Sequence, residues 1–283
     1  MAGARIRRLT ERDIDRAIAL TDLEGWGYTR ADFERLLSLS PEGCFAAEEA
    51  GHVVGLLTTT PYGRVAYLGA VIVSPERRGR RLGRTLLEKA LDHLDSQGTE
   101  TVVLNSYMHV ITFYEGLGFR PDYENARWTG PPVASGASRA RPARLNDLEA
   151  IAAFDRRYFG ADRSALLRRL LQEFQQAFLV AESRGQIAGY VVGNASESTC
   201  EVGPWVVDPR FAAAGVDLLQ GLLARVNATS VSFTAPTPNR EPHRMAVEKG
   251  FQPAFRTLRM YRGSDPFRGQ PEGIWGLAGL EKG

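Results

Sequence analysis

The chain predicts an α/β (α+β) fold built twice in tandem, each copy a mixed, mostly antiparallel central sheet flanked by helices. Three observations predict it. The first half runs through apolar patterns in the order strand, two helices, three strands, helix, strand, helix, strand. The second half repeats marked positions of the first at a nearly constant offset. Between them, residues 129–142 (TGPPVASGASRARP) are rich in Pro, Gly, Ala and Ser and carry no periodicity. At 283 residues there is room for two domains of ordinary size, and the expected division is 1–130, a linker at 131–141, and 142–283.

Taken in order, residues 5–9 alternate as a short strand, and Thr10 is placed to cap a helix reaching about residue 20. Gly25 and Gly27 break the pattern around Trp26 and Tyr28, and a second helix at 30–39 stops before Pro41. Strands at 44–48 and 53–60 are joined by a hairpin turn, and residues 61–64 turn the chain into a central strand at 65–73. A helix at 83–97, a strand at 101–105 and a helix at about 109–116 follow.

The repeat can be followed position by position. Asp147, Gly189, Gly203, Val207 and Pro209 match Asp13, Gly55, Gly69, Val73 and Pro75 at an offset of 134. Asp155, Phe159, Gly160 and Arg163 match Asp22, Trp26, Gly27 and Arg30 at 133, and Gly250, Phe251 and Pro253 match Gly118, Phe119 and Pro121 at 132. A drift of two residues across a whole domain points to duplication.

Composition narrows the function classes. A net charge of +2 gives no bulk reason to expect nucleic acid or an acidic membrane as partner. Two cysteines, Cys44 and Cys200, lie far apart without C-x-x-C spacing, so neither a disulfide framework nor a zinc site is expected and no metal is assigned. Residues 1–9 lack the apolar core of a signal peptide, and no apolar run reaches membrane-spanning length, so a soluble cytoplasmic protein, monomer or homodimer, is expected.

Chemistry concentrates in residues 67–87, YLGAVIVSPERRGRRLGRTLL. A β-branched run, a Gly/Arg loop and a helix start make an anion site, because the first-turn N–H groups of a helix have no internal acceptor. Gly79 and Gly83 admit a close backbone approach, while Arg77, Arg78, Arg80, Arg81 and Arg84 bring countercharge and Leu82 begins the helix. Neither a G-x-x-x-x-G-K-[ST] nor a G-x-G-x-x-G pattern is present, which argues against P-loop and dinucleotide sites. The stretch resembles the acyl-CoA loop of the GNAT superfamily of N-acetyltransferases, V-x-P-x-x-[RQ]-x-x-G-x-[GA], through Val73, Pro75, Arg78 and Gly83. One position departs: Arg81 stands where the family usually has its first glycine.

The resemblance extends over nearly the whole chain, to tandem GNAT proteins with a divergent second domain, and carries further expectations. Acetyl-CoA would be the co-substrate. Main-chain groups of Val71, Ile72 and Val73 would hold its thioester arm, and Tyr114 in YEGLGF would be the general acid for the departing thiolate. The segment between the first two helices would meet the acceptor, with Asp22 and Glu24 attracting a cationic amine. Trp26 and Tyr28 would wall the site or simply anchor packing. Strand 65–73 carries no carboxylate, so the base is left among Glu24, Asp22, Glu201 or a water chain near Tyr67 and Asn105. In the second copy, FAAAGVD at 211–217 replaces the arginines and Ala246 replaces Tyr114, so that copy is not expected to hold the cofactor. The expected activity is acetyl transfer to a primary amine of a small molecule or peptide by direct attack in a ternary complex; the rival is an inactive CoA sensor or scaffold.

Overall fold

In a computed structural model, which describes residues 4–132, 136–196, 198–263 and 269–283, the apolar alternation resolves into strands that all join one sheet. The first half runs β1 (Arg5–Arg8), α1 (Ile14–Asp22), α2 (Arg30–Leu39), β2 (Phe45–Glu49), β3 (His52–Tyr62), β4 (Val65–Val73), α3 (Leu82–Ser96), β5 (Thr101–Tyr107), α4 (Ile111–Glu115) and β6 (Arg120–Gly130). The second runs β7 (Arg141–Pro142), α5 (Leu148–Phe159), α6 (Ser164–Glu173), β8 (Phe178–Ser183), β9 (Gln186–Ala195), β10 (Thr199–Val207), α7 (Ala213–Leu223), β11 (Ser230–Pro236), α8 (Arg240–Glu248) and β12 (Gln252–Gly263), and adds β13 (Ile274–Gly276). Residues 133–135 of the expected linker lie outside the described residues.

The halves share local devices at the repeat offset. Arg7 bridges Asp13 at 2.8 Å and Glu48 at 2.6 Å, and Arg141 bridges Asp147 and Glu182 in the matching places. Each guanidinium holds its Asp carboxyl below the ordinary value. Asp13 also accepts from the N–H and the hydroxyl of Thr10, each at 2.9 Å. The chain therefore enters α1 through a 3-10 turn at Glu11–Asp13, and the helix starts later than a Thr10 cap would place it. Helix α3 turns Leu86, Leu87, Ala90, Leu91 and Leu94 onto the sheet, and α7 does so with Leu218, Leu219, Leu222 and Leu223. Each leucine so buried contributes about 2 kcal/mol.

The strand order is β1-β2-β3-β4-β5-β12-β6-β11-β10-β9-β8-β7, with β13 beside β10. Among the described residues only β4–β5 and β10–β11 pair in parallel. The middle of the sheet departs from two independent copies. Strand β12 lies beside β5, with Thr257 opposite Tyr107, while β6 lies beside β11, with Gly130 opposite Val231. The two exchanged strands then pair with each other, antiparallel. Each half completes its sheet with a strand of the other, β12 for the first and β6 for the second.

Strand β4 carries a bulge. Leu56 stands opposite Ile72 but Thr58 opposite Gly69, and between them Ala70 takes φ 46°. The extra residue resets the alternation. Ala66 and Leu68 pack with α3, and past the bulge so do Val71 and Val73, whereas Ala70 and Ile72 pack with α1 and α2. Strand β10 shifts register at the matching place, between Val202 and Trp205.

Between the halves, Tyr62, Val65, Tyr67 and Val103 pack against Tyr158, Phe159, Leu166 and Leu167. Inside this core Arg163, 2% exposed, donates to both oxygens of Asp155 at 3.0 and 2.6 Å and lies 3.8 Å from the Phe159 ring centroid. The Tyr190 hydroxyl donates to the same carboxylate at 2.6 Å. Removing one partner leaves a buried charge unpaired, so Asp155→Ala is expected to lower stability by about 3–5 kcal/mol in urea unfolding.

Candidate active site

Strand β4 pairs with β5 only from Val65 to Leu68. Beyond that point the strands separate, and the edge of β4 at residues 69–73 has no strand neighbour on the β5 side among the described residues. Among the described residues no strand takes the main-chain groups along this edge, and the Val73 carbonyl accepts from a side chain. Val71, Ile72 and Val73 lie along it.

The strand leads into the arginine loop. After a 3-10 turn at Pro75–Arg77, Gly79 takes φ 76° and Arg81 takes φ 62° immediately before α3. The N–H groups of Leu82, Gly83 and Arg84 then have no intrahelical acceptor. The left-handed conformation accounts for the glycine of the family pattern: Arg81 follows the same path at a cost of about 1 kcal/mol. A Cβ on Gly83 would meet Phe113 at 3.6 Å and Val73 at 3.7 Å, ordinary contacts, so packing within the protein does not demand glycine there. Arg77 pairs with Glu49, and Arg84 with Glu88 at 2.9 Å. Arg78 donates to the Val73 carbonyl at 3.0 Å and pairs with Glu24 at 2.5 Å. Among the described residues, Arg80 and Arg81 have no ion-pair partner, and both are exposed.

Tyr114 sits on α4, buried against α3 and edge-on to Phe119 at 6.0 Å. Burial pushes its phenol well above the ordinary value, so it stays protonated. Among the described residues no protein group hydrogen-bonds its hydroxyl.

On the acceptor side the loop between α1 and α2 meets the junction of the halves. Trp26 stacks on Tyr107 at 6.4 Å and meets Tyr28 edge-on at 6.3 Å. Tyr107 contacts Phe255 of β12 at 5.4 Å, and the Arg127 guanidinium of β6 lies 5.8 Å from the Phe255 centroid. Phe159, which the repeat equates with Trp26, is instead buried against Tyr62 and Tyr67 in the core between the halves. Of the base candidates, Glu24 is engaged by Arg78 and Glu201 by Arg127 at 2.6 Å. Asp22 is exposed on the last turn of α1. Asn105 donates to the Leu280 carbonyl at 2.7 Å and accepts from Asn125 at 2.9 Å. Tyr67 is buried.

Sequence reasoning missed Tyr107, Phe255 and the segment 277–283, which lies on β3, β4 and β5 of the first half. One signal was available: residues past 263 have no counterpart in the first copy at the repeat offset. Cys44 and Cys200 are buried free thiols, each pushed up to about 12 by burial. No group of three His, Cys, Asp or Glu suited to a metal occurs among the described residues, and no helix there is long and apolar enough to cross a membrane.

A family profile described as "Acetyltransferase (GNAT) family" matches residues 13–119, and one described as "Acetyltransferase (GNAT) domain" matches residues 151–276. The chain is a tandem member of the GNAT acetyltransferase family. It is an acyl-transferring enzyme. The tandem GNAT chain is 27% identical over 270 residues to holothin acyltransferase of Pseudoalteromonas sp. (strain SANK 73390), covering 92% of this chain and 88% of that one. A putative acetyltransferase from Pyrococcus horikoshii shares the fold at a TM-score of 0.83 and 21% identity, over 100% of this chain and 97% of that one. A tandem GNAT protein from the clavulanic acid biosynthesis pathway shares it at 0.63 and 14% identity, over 93% and 99%.

The second GNAT copy treats the matching place differently. Trp205 and Val206, the counterparts of Val71 and Ile72, pair with Gly276 and Ile274 of β13. Gly215, the counterpart of Arg81, faces the Trp275 ring so closely that a Cβ would stand 2.5 Å from it. The chain's own strand and indole thus lie where the first copy has a strand edge and a helix mouth. In the first copy, Arg81→Gly is expected to raise stability by about 1 kcal/mol in urea unfolding by relieving the positive φ.

Proposed function

We propose that the first half binds acetyl-CoA and transfers the acetyl group to a primary amine by direct attack in a ternary complex, the second half serving the acceptor side. One observation carries this reading: among the described residues no strand pairs with β4 at 71–73 on the β5 side and a Cβ at Gly83 would make only ordinary contacts, whereas the counterpart places in the second half are covered by β13 and Trp275. The β13 pairing also suggests the line a pantetheine arm would take along β4. In this reading the N–H groups of the bulged strand polarise the thioester carbonyl, a role for fixed main-chain dipoles that need not reorganise as charge develops. The α3 N-terminus with Arg80 and Arg81 receives the pyrophosphate.

Tyr114 then gives its proton to the departing thiolate. Its raised pKa makes the phenol a weaker acid, but a thiolate leaving in the same apolar surroundings is correspondingly more basic. Acetyl is the acyl group named in the family descriptions, and the aromatic cluster of Trp26, Tyr28, Tyr107 and Phe255 suits an amine with an apolar body.

Calorimetric titration with acetyl-CoA tests the reading. One site per chain is expected, abolished when Arg78→Ala and Gly83→Val are combined; two sites, or one surviving the change, would refute the assignment of the halves. Tyr114→Phe is expected to lower kcat about 100-fold with acetyl-CoA affinity unchanged. Because the folded phenol is shifted upward, it remains the protonated acid throughout the neutral range. Tyr114 is therefore expected to add no limb there to the pH–rate profile, and one that disappears in Tyr114→Phe would contradict its placement.

A further inference from the structure

An alkylamine arrives at neutral pH as an ammonium ion and must lose a proton before it attacks, yet β4 carries neither Asp nor Glu. Residues 277–283 bring a carboxylate to that strand from the far end of the second half. Four main-chain oxygens fix the segment: Leu280 accepts from Asn105 at 2.7 Å, Lys282 from the Tyr62 hydroxyl at 2.8 Å, Glu281 from Thr60 at 3.3 Å and Gly283 from Arg163 at 2.6 Å. Gly69 is what allows the approach. A Cβ there would stand 1.9 Å from Glu281 Cβ and 2.5 Å from Glu281 Cα. Gly69 directly precedes the bulge at which β4 leaves β5, so Glu281 springs from the place a β4 side chain would occupy beside the wedge.

The surroundings suit a cation. Glu281 and Lys282 are 6% and 4% exposed, and their side chains form an ion pair. Burial first, and then the carboxylates of Glu281, Glu201 and Asp32, push the Tyr28 phenol well above its ordinary value, while the Lys282 ammonium helps hold Asp32 below its own. A primary ammonium of the chain itself therefore sits among acidic groups next to the proposed acyl site.

We propose that the Glu281 carboxylate binds and deprotonates the primary ammonium of the acceptor, and that the Lys282 ammonium keeps this place until the acceptor displaces it. The proposal rests on the acyl-transfer reading above. Glu281 takes one proton from the ammonium, and the freed lone pair forms the C–N bond to the acyl carbon. The C–S bond breaks with its electrons on sulfur. The thiolate takes the Tyr114 proton, the proton then lost from nitrogen restores the phenol, and Glu281 releases its own proton to solvent.

The test uses tyramine, an ammonium on an aromatic body, with the full-length protein and the variants Glu281→Gln and Lys282→Met. Binding of tyramine, with and without CoA, and steady-state transfer are measured. Glu281→Gln is expected to weaken tyramine binding at least about 30-fold and to cut kcat/KM about 100-fold, with acetyl-CoA affinity within about twofold of wild type. Lys282→Met is expected to tighten tyramine binding at least about 10-fold, because the competing ammonium is gone. A packing role alone would shift both variants in the same direction, so loss of affinity in both overturns the proposal. So does tyramine affinity unchanged in Glu281→Gln, or no binding by either wild type or Lys282→Met. Failure of wild type to bind acetyl-CoA would instead strike the functional reading, since tyramine binding is also measured without CoA.

Discussion

The antiparallel pairing of β6 with β12 is the constraint on which the rest of the molecule depends. It exists only because β6 and β12 have each gone over to the other half. Without β12, the edge of β5 would present a row of unpaired main-chain groups, an arrangement folded proteins avoid. With it, Phe255 comes beside Tyr107, and Arg127 on β6 reaches Glu201 on β10. The acceptor side is thus assembled from both halves, and the aromatic cluster is a product of the exchange rather than of either half alone.

Duplication preserved what holds the scaffold and released what touches a ligand. The arginine that ties the first strand to the turn before the first helix is present in both copies, with the same pair of carboxylate partners. Both central strands shift register at matching positions. The loop and helix mouth diverged: a cluster of arginines in one copy, alanines with an indole against a glycine in the other. Packing constrains a buried position through all its neighbours at once, whereas a ligand site that loses its ligand is constrained only by the need to be filled.

How much was legible in the sequence follows from the range of the forces involved. Strand 65–73 coincides with β4, and the helix expected at 83–97 lies one residue from α3, because period and caps are local signals. The turn from β4 into α3 was legible through its prolines and glycines, which are local signals too. A glycine at 69 marks a bulge or a close approach in this strand, but that the extra residue is Ala70 does not show, because an apolar run buried on both faces has no polar phase against which a slipped residue would stand out. The exchange of β6 and β12 was hidden because duplicated strands present near-equivalent edges, and nothing local decides between partners. Glu281 was missed because residues 277–283 have no periodicity and acquire meaning only from Gly69, far away in the chain. Arg81 was read as a departure from pattern, and its backbone restores the turn that glycine would have made.

The exchanged strands also impose an order on the making of the protein. Tyr107 cannot meet Thr257 until the ribosome has synthesised nearly all of the second half, which at ordinary elongation rates means on the order of ten seconds after β5 emerges. During that interval the nascent first half carries a strand edge whose proper partner does not yet exist. The unpaired edge that the chain must carry during synthesis is thus that of β5, the strand whose partner is made last.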